Sequence, residues 1–389
     1  VSNISCDDDG QSVIEGNERV LRARLSDAKF FWDNDLRKIK EVGFEKFSEK
    51  LKKVIFHNKL GSETDRVKRI VAIAIGIAEM LGTDIEKTRT AAMLCKLDLV
   101  SEMVFEFPEL QGIIGRYYAE EAGFCDTIFN ACYEHYLPKG PLDKAPRKLV
   151  SVAVALADKV DTICSFWSIN LKPTGSKDPF ALRRAAIGII RILLENKLKF
   201  SLEAVLKLGN NNLDFEDLIN FFDERIQGQF IDKGIRVDVI NSLNSNIYRN
   251  ISIVETYQRA TAIQEFVATE AGKDLIQAYK RAVNILTAEE NKDGVEYSLD
   301  PQLNLFEEES EVELYRRLKE IDKRVLDDLE KEGSSMALTN LSTLKRPIDN
   351  FFSDAKINTE NSIVRRNRLC LLNQIKEVMH RVSNFSRID

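Results

Sequence analysis

The chain has 389 residues, 44% hydrophobic and 30% charged, which is enough apolar content for two or three packed cores and too much for wholesale disorder. Its formal charge of −6 is uneven: residues 343–389 carry nine Lys/Arg against five Asp/Glu, so a body of −10 ends in a stretch of +4. That stretch can grip a polyanion locally, or be an ordinary solvated helix face. The longest uninterrupted apolar run, residues 70–78, is far shorter than the ~20 residues a membrane helix needs, which excludes a transmembrane helix.

With 18 glycines and 8 prolines, about 7% of the chain against a usual ~12%, an all-α protein is expected. The first 17 or so residues, with Asp7-Asp8-Asp9-Gly10, read as a loop. The chain opens on Val1 without a basic-then-apolar leader, so it reads as a fragment of a longer cytoplasmic protein. A helical pattern starts at Glu18. The adjacent Phe30, Phe31 and Trp32 cannot all face one core, so part of this segment should meet something outside the fragment. Phe44, Phe47, Leu51, Val54 and Ile55 keep helical spacing over 44–56. Residues 66–81 leave almost no polar face, which suits the middle of a domain, and Gly82 supplies the stop. Helical patterns follow at 86–97, 99–105, 112–122, 126–135 and 146–168. A Pro/Gly/Ser-rich loop at 171–179 precedes a long helix from about Phe180 past Leu194. The run from Gly209 to Asn212 breaks the pattern, and Asp214 can cap the next helix. Residues 215–285 read as helices, 289–313 as an acidic connector, and 311–331 and 362–385 as two final helices. No alternation suggests a sheet.

Catalysis near neutral pH needs groups that ionise, coordinate or attack. The three histidines, His57, His135 and His380, stand far apart, and no glycine-rich phosphate loop, nucleophile elbow or HExxH pair occurs. The six cysteines, at positions 6, 95, 125, 132, 164 and 370, form no CxxC and suggest a reducing compartment. No self-contained catalytic residue set and no metal site emerges.

One layout nevertheless resembles the HD phosphohydrolase superfamily, an all-helical fold with a His–Asp metal dyad: Ala91-Ala92-Met93-Leu94-Cys95-Lys96, then Glu134-His135, then Ala157-Asp158-Lys159. The dyad positions hold Cys95 and Lys96, and the place of the first histidine holds Thr64-Asp65-Arg66. An ammonium has no lone pair and repels a divalent cation. Only Asp158 and His135 remain, so an HD-type metal phosphohydrolase is the weaker alternative, and a retained fold with lost chemistry is expected.

More specific are Phe105-Glu106-Phe107-Pro108-Glu109-Leu110-Gln111-Gly112, Glu134-His135-Tyr136-Leu137-Pro138 and Ala157-Asp158-Lys159-Val160-Asp161-Thr162. With them goes Lys172-Pro173-Thr174-Gly175-Ser176-Lys177-Asp178-Pro179-Phe180-Ala181-Leu182-Arg183-Arg184. In this order they closely resemble the beta subunit of bacterial-type, two-subunit glycyl-tRNA synthetase, over nearly the whole chain. Lys280-Arg281-Ala282-Val283-Asn284 and Arg346-Pro347-Ile348-Asp349-Asn350 agree. The resemblance implies a C-terminal fragment, with a linker or remnant at 1–55, a degenerate HD-like helical domain at 56–208, a helical connector at 209–255, and an anticodon-binding helical domain at 256–389 similar to that of arginyl-tRNA synthetase. It implies a non-catalytic tRNA-recognition part of glycine–tRNA ligase, an aminoacyl-tRNA synthetase of protein translation. Its partners would be tRNA(Gly) and the alpha subunit, in an alpha2beta2 tetramer. ATP and Mg would bind at the alpha subunit, leaving no cofactor in this fragment. A helical scaffold that only docks the alpha subunit is a further alternative.

Candidate tRNA contacts are Arg365, Arg366 and Arg368, the densest basic cluster, with Lys280 and Arg281. An apolar stripe of Leu369, Leu372, Ile375, Met379 and Val382 puts Arg366 opposite the core, near Asn373, Glu377 and His380, and Arg368 toward it, paired internally or ahead of the helix. Lys172 and Lys177 flank a Gly-Ser turn whose backbone N–H groups could face a phosphate, although a plain loop with Asp178 capping a helix from Pro179 explains it as well. Phe351 and Phe352 could stack on an unpaired base or sit in a core. His135 reads as a satisfied helix histidine, and Asp158 with Asp161 as internal hydrogen-bond or ion-pair acceptors.

Overall fold

The computed structural model describes residues 8–243, 251–331 and 333–388, and nearly all of its regular structure is helical. Two compact units separate: residues up to 198 with 202–218, and residues 199–201 with those from 219 onward. The expected remnant at 1–55 and the HD-like segment at 56–208 fall in the first unit except for residues 199–201, and the expected connector at 209–255 lies across the division, with 244–250 outside the described residues. Cys6 also lies outside them, as does part of the expected N-terminal loop. Among the described residues no helix is long and apolar enough to cross a membrane.

The first unit opens with α1 (Gln11–Ser48), already helical where a loop is expected and broken at Gly43, whose φ of 77° only glycine adopts easily. Its first half leaves Ile14, Leu21 and Leu25 in solvent. Phe30 is also exposed, whereas Trp32 packs on Tyr117 and Tyr118. The buried Asp35 carboxylate anchors the second half, accepting from the Glu102 and Met103 N–H groups, both at 3.1 Å, and from the Tyr118 hydroxyl at 2.9 Å.

The helical spacing over 44–56 does not continue as a helix. A 3-10 turn (Glu49–Lys53) leads into a hairpin of β1 (Ile55–His57) and β2 (Gly61–Ser62). Three residues on one strand are too few for alternation to register, so the pattern concealed it. Ser62 and Asp65 then form a capping box that opens α2 (Glu63–Leu81), which Gly82 ends in the left-handed conformation. There follow α3 (Ile85–Leu94), α4 (Glu102–Glu106), α5 (Ile113–Glu121), α6 (Asp126–Glu134), α7 (Leu149–Ser168), α8 (Leu182–Glu195) and α9 (Leu202–Lys207).

The centre of this unit is α7 rather than α2. Nearly every residue of α7 from Val150 to Trp167 is buried, while α2 keeps Ala72 and Glu79 in solvent. α2, α3, α6 and α8 all pack against α7. Each fully buried Val, Leu or Ile there contributes about 1.5–3 kcal/mol. α8 can approach closely because a Cβ on Gly188 would stand 2.6 Å from the Lys159 side chain.

In the second unit, α10 (Phe215–Asp232), in which the division falls, opens on Asp214, whose carboxylate accepts from the Glu216 and Asp217 N–H groups. α11 (Val237–Ser242) precedes α12 (Ile253–Ala268), which starts with a Ser252/Glu255 capping box. α13 (Glu270–Asp293) carries helix through the first residues of the expected connector; α14 (Glu309–Lys331), α15 (Ser334–Ser342), α16 (Lys345–Asp354) and α17 (Ser362–His380) follow. α14 packs on α15, α16 and α17, and α13 packs on α17. The stripe Leu369, Leu372, Ile375, Met379 and Val382 is fully buried, and Phe351 joins the same core.

Candidate nucleic-acid interface

In the second unit one face of α13 presents Lys273, Gln277, Arg281 and Asn284, steps of four, four and three that align on one side of a helix. These four side chains are exposed and line a groove of about 590 Å³ with Lys280 and the apolar Val267, Ile276 and Ile285. The Arg281 guanidinium lies 4.3 Å from the Phe352 ring centroid on α16, a cation–π stack that holds its plane beside the groove. Lys280 is half-buried and donates to the Ile388 carbonyl. The groove thus offers positive charge, two amides able to read a base edge, apolar walls and a planar cation. Unpaired bases of single-stranded RNA are held by that combination. Phe351 is core, and Phe352 is the half-buried platform.

The three arginines of α17 separate. Arg368 is a correction: it is buried, so it cannot serve as a surface phosphate contact. Its Nε donates to Glu311 Oε1 at 2.7 Å, with Glu307 and Glu311 Oε2 each 3.2 Å from another of its nitrogens and the Lys356 carbonyl at 2.9 Å. Glu311 also accepts from the Glu307 and Glu308 N–H groups, so one carboxylate caps α14 and pairs with α17. Hydrogen bonding to Glu311 holds the Arg368 guanidinium firmly in its charged form. Arg365 is half-buried and bound by Glu289 and Asp293, with Asn358 and Tyr297 completing its partners. Arg366 is exposed, with no side-chain partner among the described residues; Asn373, expected beside it on an open face, is buried.

In the first unit, Lys172 pairs with Asp217 at 2.7 Å and sits over the Trp167 ring. Thr174 and Lys177 exchange backbone hydrogen bonds of 3.1 and 2.9 Å across the Gly-Ser turn, so the Lys177 N–H is already used. The Lys177 side chain is exposed without a partner among the described residues. The expected helix starts at Leu182, not Pro179, but Asp178 still accepts from the Leu182 and Arg183 N–H groups, at 2.8 and 3.0 Å.

The cluster around Asp158 is built of cations. Lys96 Nζ and an Arg66 terminal nitrogen each stand 3.0 Å from Asp158 Oδ1, and all three side chains are nearly out of solvent. Arg66 also faces Glu63 and Asp161, both at 3.5 Å, and Arg69 binds Asp161 at 2.6 Å. Lys96 lies 4.0 Å from the Tyr136 ring centroid, and Lys159 donates to the His135 and Leu137 carbonyls at 3.0 and 2.8 Å. Burial alone would raise the Asp158 carboxyl; Lys96 and then Arg66 outweigh it and hold it well below the usual carboxylate range.

Burial pushes the Cys95 thiol up to about 12, so it is no thiolate ligand at neutral pH. Burial, reinforced by the Lys96 charge, keeps His135 neutral, with Nδ1 3.3 Å from the Ala131 carbonyl and Nε2 unpartnered. These residues do not fit a divalent metal, because two tethered cations occupy the position facing the carboxylate. No group of three or more metal-binding side chains occurs among the described residues.

Two family models match the chain. One, described as glycyl-tRNA synthetase beta subunit, covers residues 1–245, and one described as DALR anticodon binding domain covers 275–385. The chain belongs to the glycyl-tRNA synthetase beta subunit family. It is 45% identical to the glycine–tRNA ligase beta subunits of Ruegeria sp. and Paracoccus denitrificans and 44% to that of Cereibacter sphaeroides, over its whole length. It spans 57%, 56% and 57% of those relatives. In this family member, Arg281, Phe352 and Arg366 lie inside the anticodon-binding match, and the Lys96–Asp158 cluster lies inside the beta-subunit match.

Sequence reasoning named Lys280, Arg281, Phe351 and Phe352 separately but could not join Arg281 to Phe352 across two helices. It expected Lys96 and Arg66 only to stand in for metal ligands, without seeing that both converge on Asp158.

Proposed function

We propose that this chain is the tRNA-recognition part of a glycine–tRNA ligase beta subunit, holding tRNA(Gly) while an alpha subunit, with ATP and Mg, makes the aminoacyl bond. Membership of the family and its anticodon-binding segment support the tRNA role. The observation that carries the positioning role is the Arg281–Phe352 platform in a groove where Lys273, Gln277 and Asn284 have no side-chain partner among the described residues. In this reading an anticodon-loop base stacks on Arg281 and meets the Gln277 and Asn284 amides, while Lys273 and Arg366 meet phosphates. The first unit is a degenerate HD-type domain whose ligand positions became an internal ion-pair cluster. The whole protein works in the cytoplasm as an alpha2beta2 assembly.

Titration of the chain with tRNA(Gly) at several salt concentrations tests this. Log affinity should fall linearly with log salt. Arg281→Glu should weaken binding about 10- to 100-fold, as expected for loss of one stacked base, with unchanged helicity. Arg366→Glu should weaken it less and reduce the salt slope by about one. Salt-insensitive binding, or none, would favour a scaffold that only docks the alpha subunit.

A further inference from the structure

A cleft of about 940 Å³ in the second unit, sharing no lining residue with the Arg281 groove, lies between α12 and the α14–α15 junction. Arg259 of α12 lines it. This side chain is 91% buried (9% exposed), its Nε is unpartnered, and its guanidinium has no hydrogen bond or ion pair among the described residues. Burial pulls its pKa down, with only the charge of Glu255 acting against it. The Nε is cut off from solvent with no acceptor, so an acceptor that reached it would supply a hydrogen bond the fold leaves unmade.

The N-terminus of α15 lines the same cleft through Gly333, Ser334 and Ser335. It has no capping side chain and no acidic residue in its first turn, and its N-cap is a glycine with φ 90°. Its first N–H groups are therefore without a side-chain acceptor among the described residues, and they carry the positive end of the helix dipole. Among the described residues, the carboxylates nearby are engaged or solvated. Glu255 is held by the Ser252 capping box and lies 3.8 Å from Lys199, while Glu265 and Glu330 are exposed. The cleft thus presents a buried guanidinium and, closer to solvent, the α15 N-terminus, with the exposed Lys199 and Lys331 also lining it.

We propose that this cleft binds a phosphate group, taken either from an RNA backbone or from free phosphate. The guanidinium donates to two phosphate oxygens, and the α15 N–H groups with the Ser334 and Ser335 hydroxyls take the others. The site is independent of the Arg281 groove and survives if the anticodon reading fails.

The test titrates the 389-residue chain with inorganic phosphate at constant ionic strength, against chloride, and in parallel with tRNA(Gly). Arg259→Met should weaken phosphate binding about 10- to 100-fold. Without phosphate it should leave the chain at least as stable, since it removes a buried unpaired charge. Ser335→Glu places a carboxylate where a helix start welcomes it, so the fold is kept while phosphate is repelled. Loss of phosphate binding in both variants with unchanged tRNA affinity identifies free phosphate as the source. A matching loss of tRNA affinity, with a salt slope smaller by about one, identifies the backbone. The proposal is overturned if neither phosphate nor tRNA responds to Arg259→Met, or if that variant destabilises the phosphate-free chain.

Discussion

Replacing Asp158 by Asn tests whether the first unit is held together by the cations that converge on this carboxylate. The change leaves the Lys96 ammonium, 2% exposed, without a carboxylate, while Arg66 keeps Glu63 and Asp161 at 3.5 Å. Stranding one member of a buried pair costs about 3–5 kcal/mol, whereas removing both members together is often close to neutral. Asp158→Asn should therefore cost about 3–5 kcal/mol, and Lys96→Met/Asp158→Asn should recover at least about 2 kcal/mol of it. Both tryptophans, Trp32 and Trp167, belong to the first unit, so fluorescence during urea unfolding reports on that unit. At an m-value of about 2 kcal/mol/M, the single variant's midpoint should fall by roughly 1.5–2.5 M. Added Mg or Mn should leave the wild-type midpoint where it is. A double variant that loses the sum of the two single losses would refute the pairing argument, and so would a midpoint that climbs with millimolar metal.

Two other expectations follow from burial. Arg368→Met should destabilise the second unit by about 3 kcal/mol, because it strands the Glu311 carboxylate, whereas Arg366→Ala should stay within about 0.5 kcal/mol; hydrogen exchange of α14 and α17 amides would separate the two. His135, buried among Lys96, Asp158 and Lys159, stays neutral when folded but protonates near pH 6.5 when unfolded. Its depressed folded-state pKa means full stability above that pH and a loss approaching about 1.4 kcal/mol per pH unit below it. Asp98, raised to about 6 by burial, works in the opposite direction, so the quantity to measure is the difference between wild-type and His135→Gln stability curves from pH 7.5 to 5. Parallel curves would show that His135 carries none of the slope.

What could be read from the sequence was what depends on neighbours in the chain. Gly82 ends α2, Asp214 opens α10, and the α17 stripe is buried because each is set within one or two helical turns. Arg368 illustrates the limit. Its register pointed it at the core, but Glu311, 57 positions away, decides that it is an internal ion pair. Arg281 and Phe352 stand 71 positions apart, so two candidates became one platform only after α13 and α16 were in place. Arg259 gave no signal, because a single arginine in an amphipathic helix looks like any surface cation until burial and the absence of a partner are known.

Pairing, then, rather than net charge, determines which basic residues can meet a polyanion. The C-terminal stretch has a local excess of four positive charges, yet Arg365 and Arg368 are already neutralised by Glu289, Asp293, Glu307 and Glu311. An RNA phosphate would have to displace a carboxylate already in contact to reach either one, gaining little. Arg281, Arg366 and Arg259 have no carboxylate within ion-pair distance among the described residues, so a phosphate or base arriving there displaces only water. The same reasoning applies in reverse at Asp158. A divalent metal would bring two positive charges to that carboxylate on a ligand that can dissociate; Lys96 and Arg66 bring two on covalent tethers. They neutralise the carboxylate but offer no vacant coordination position at which water could be acidified. In this arrangement the carboxylate of α7 anchors an ion-pair cluster that reaches α2 through Arg66.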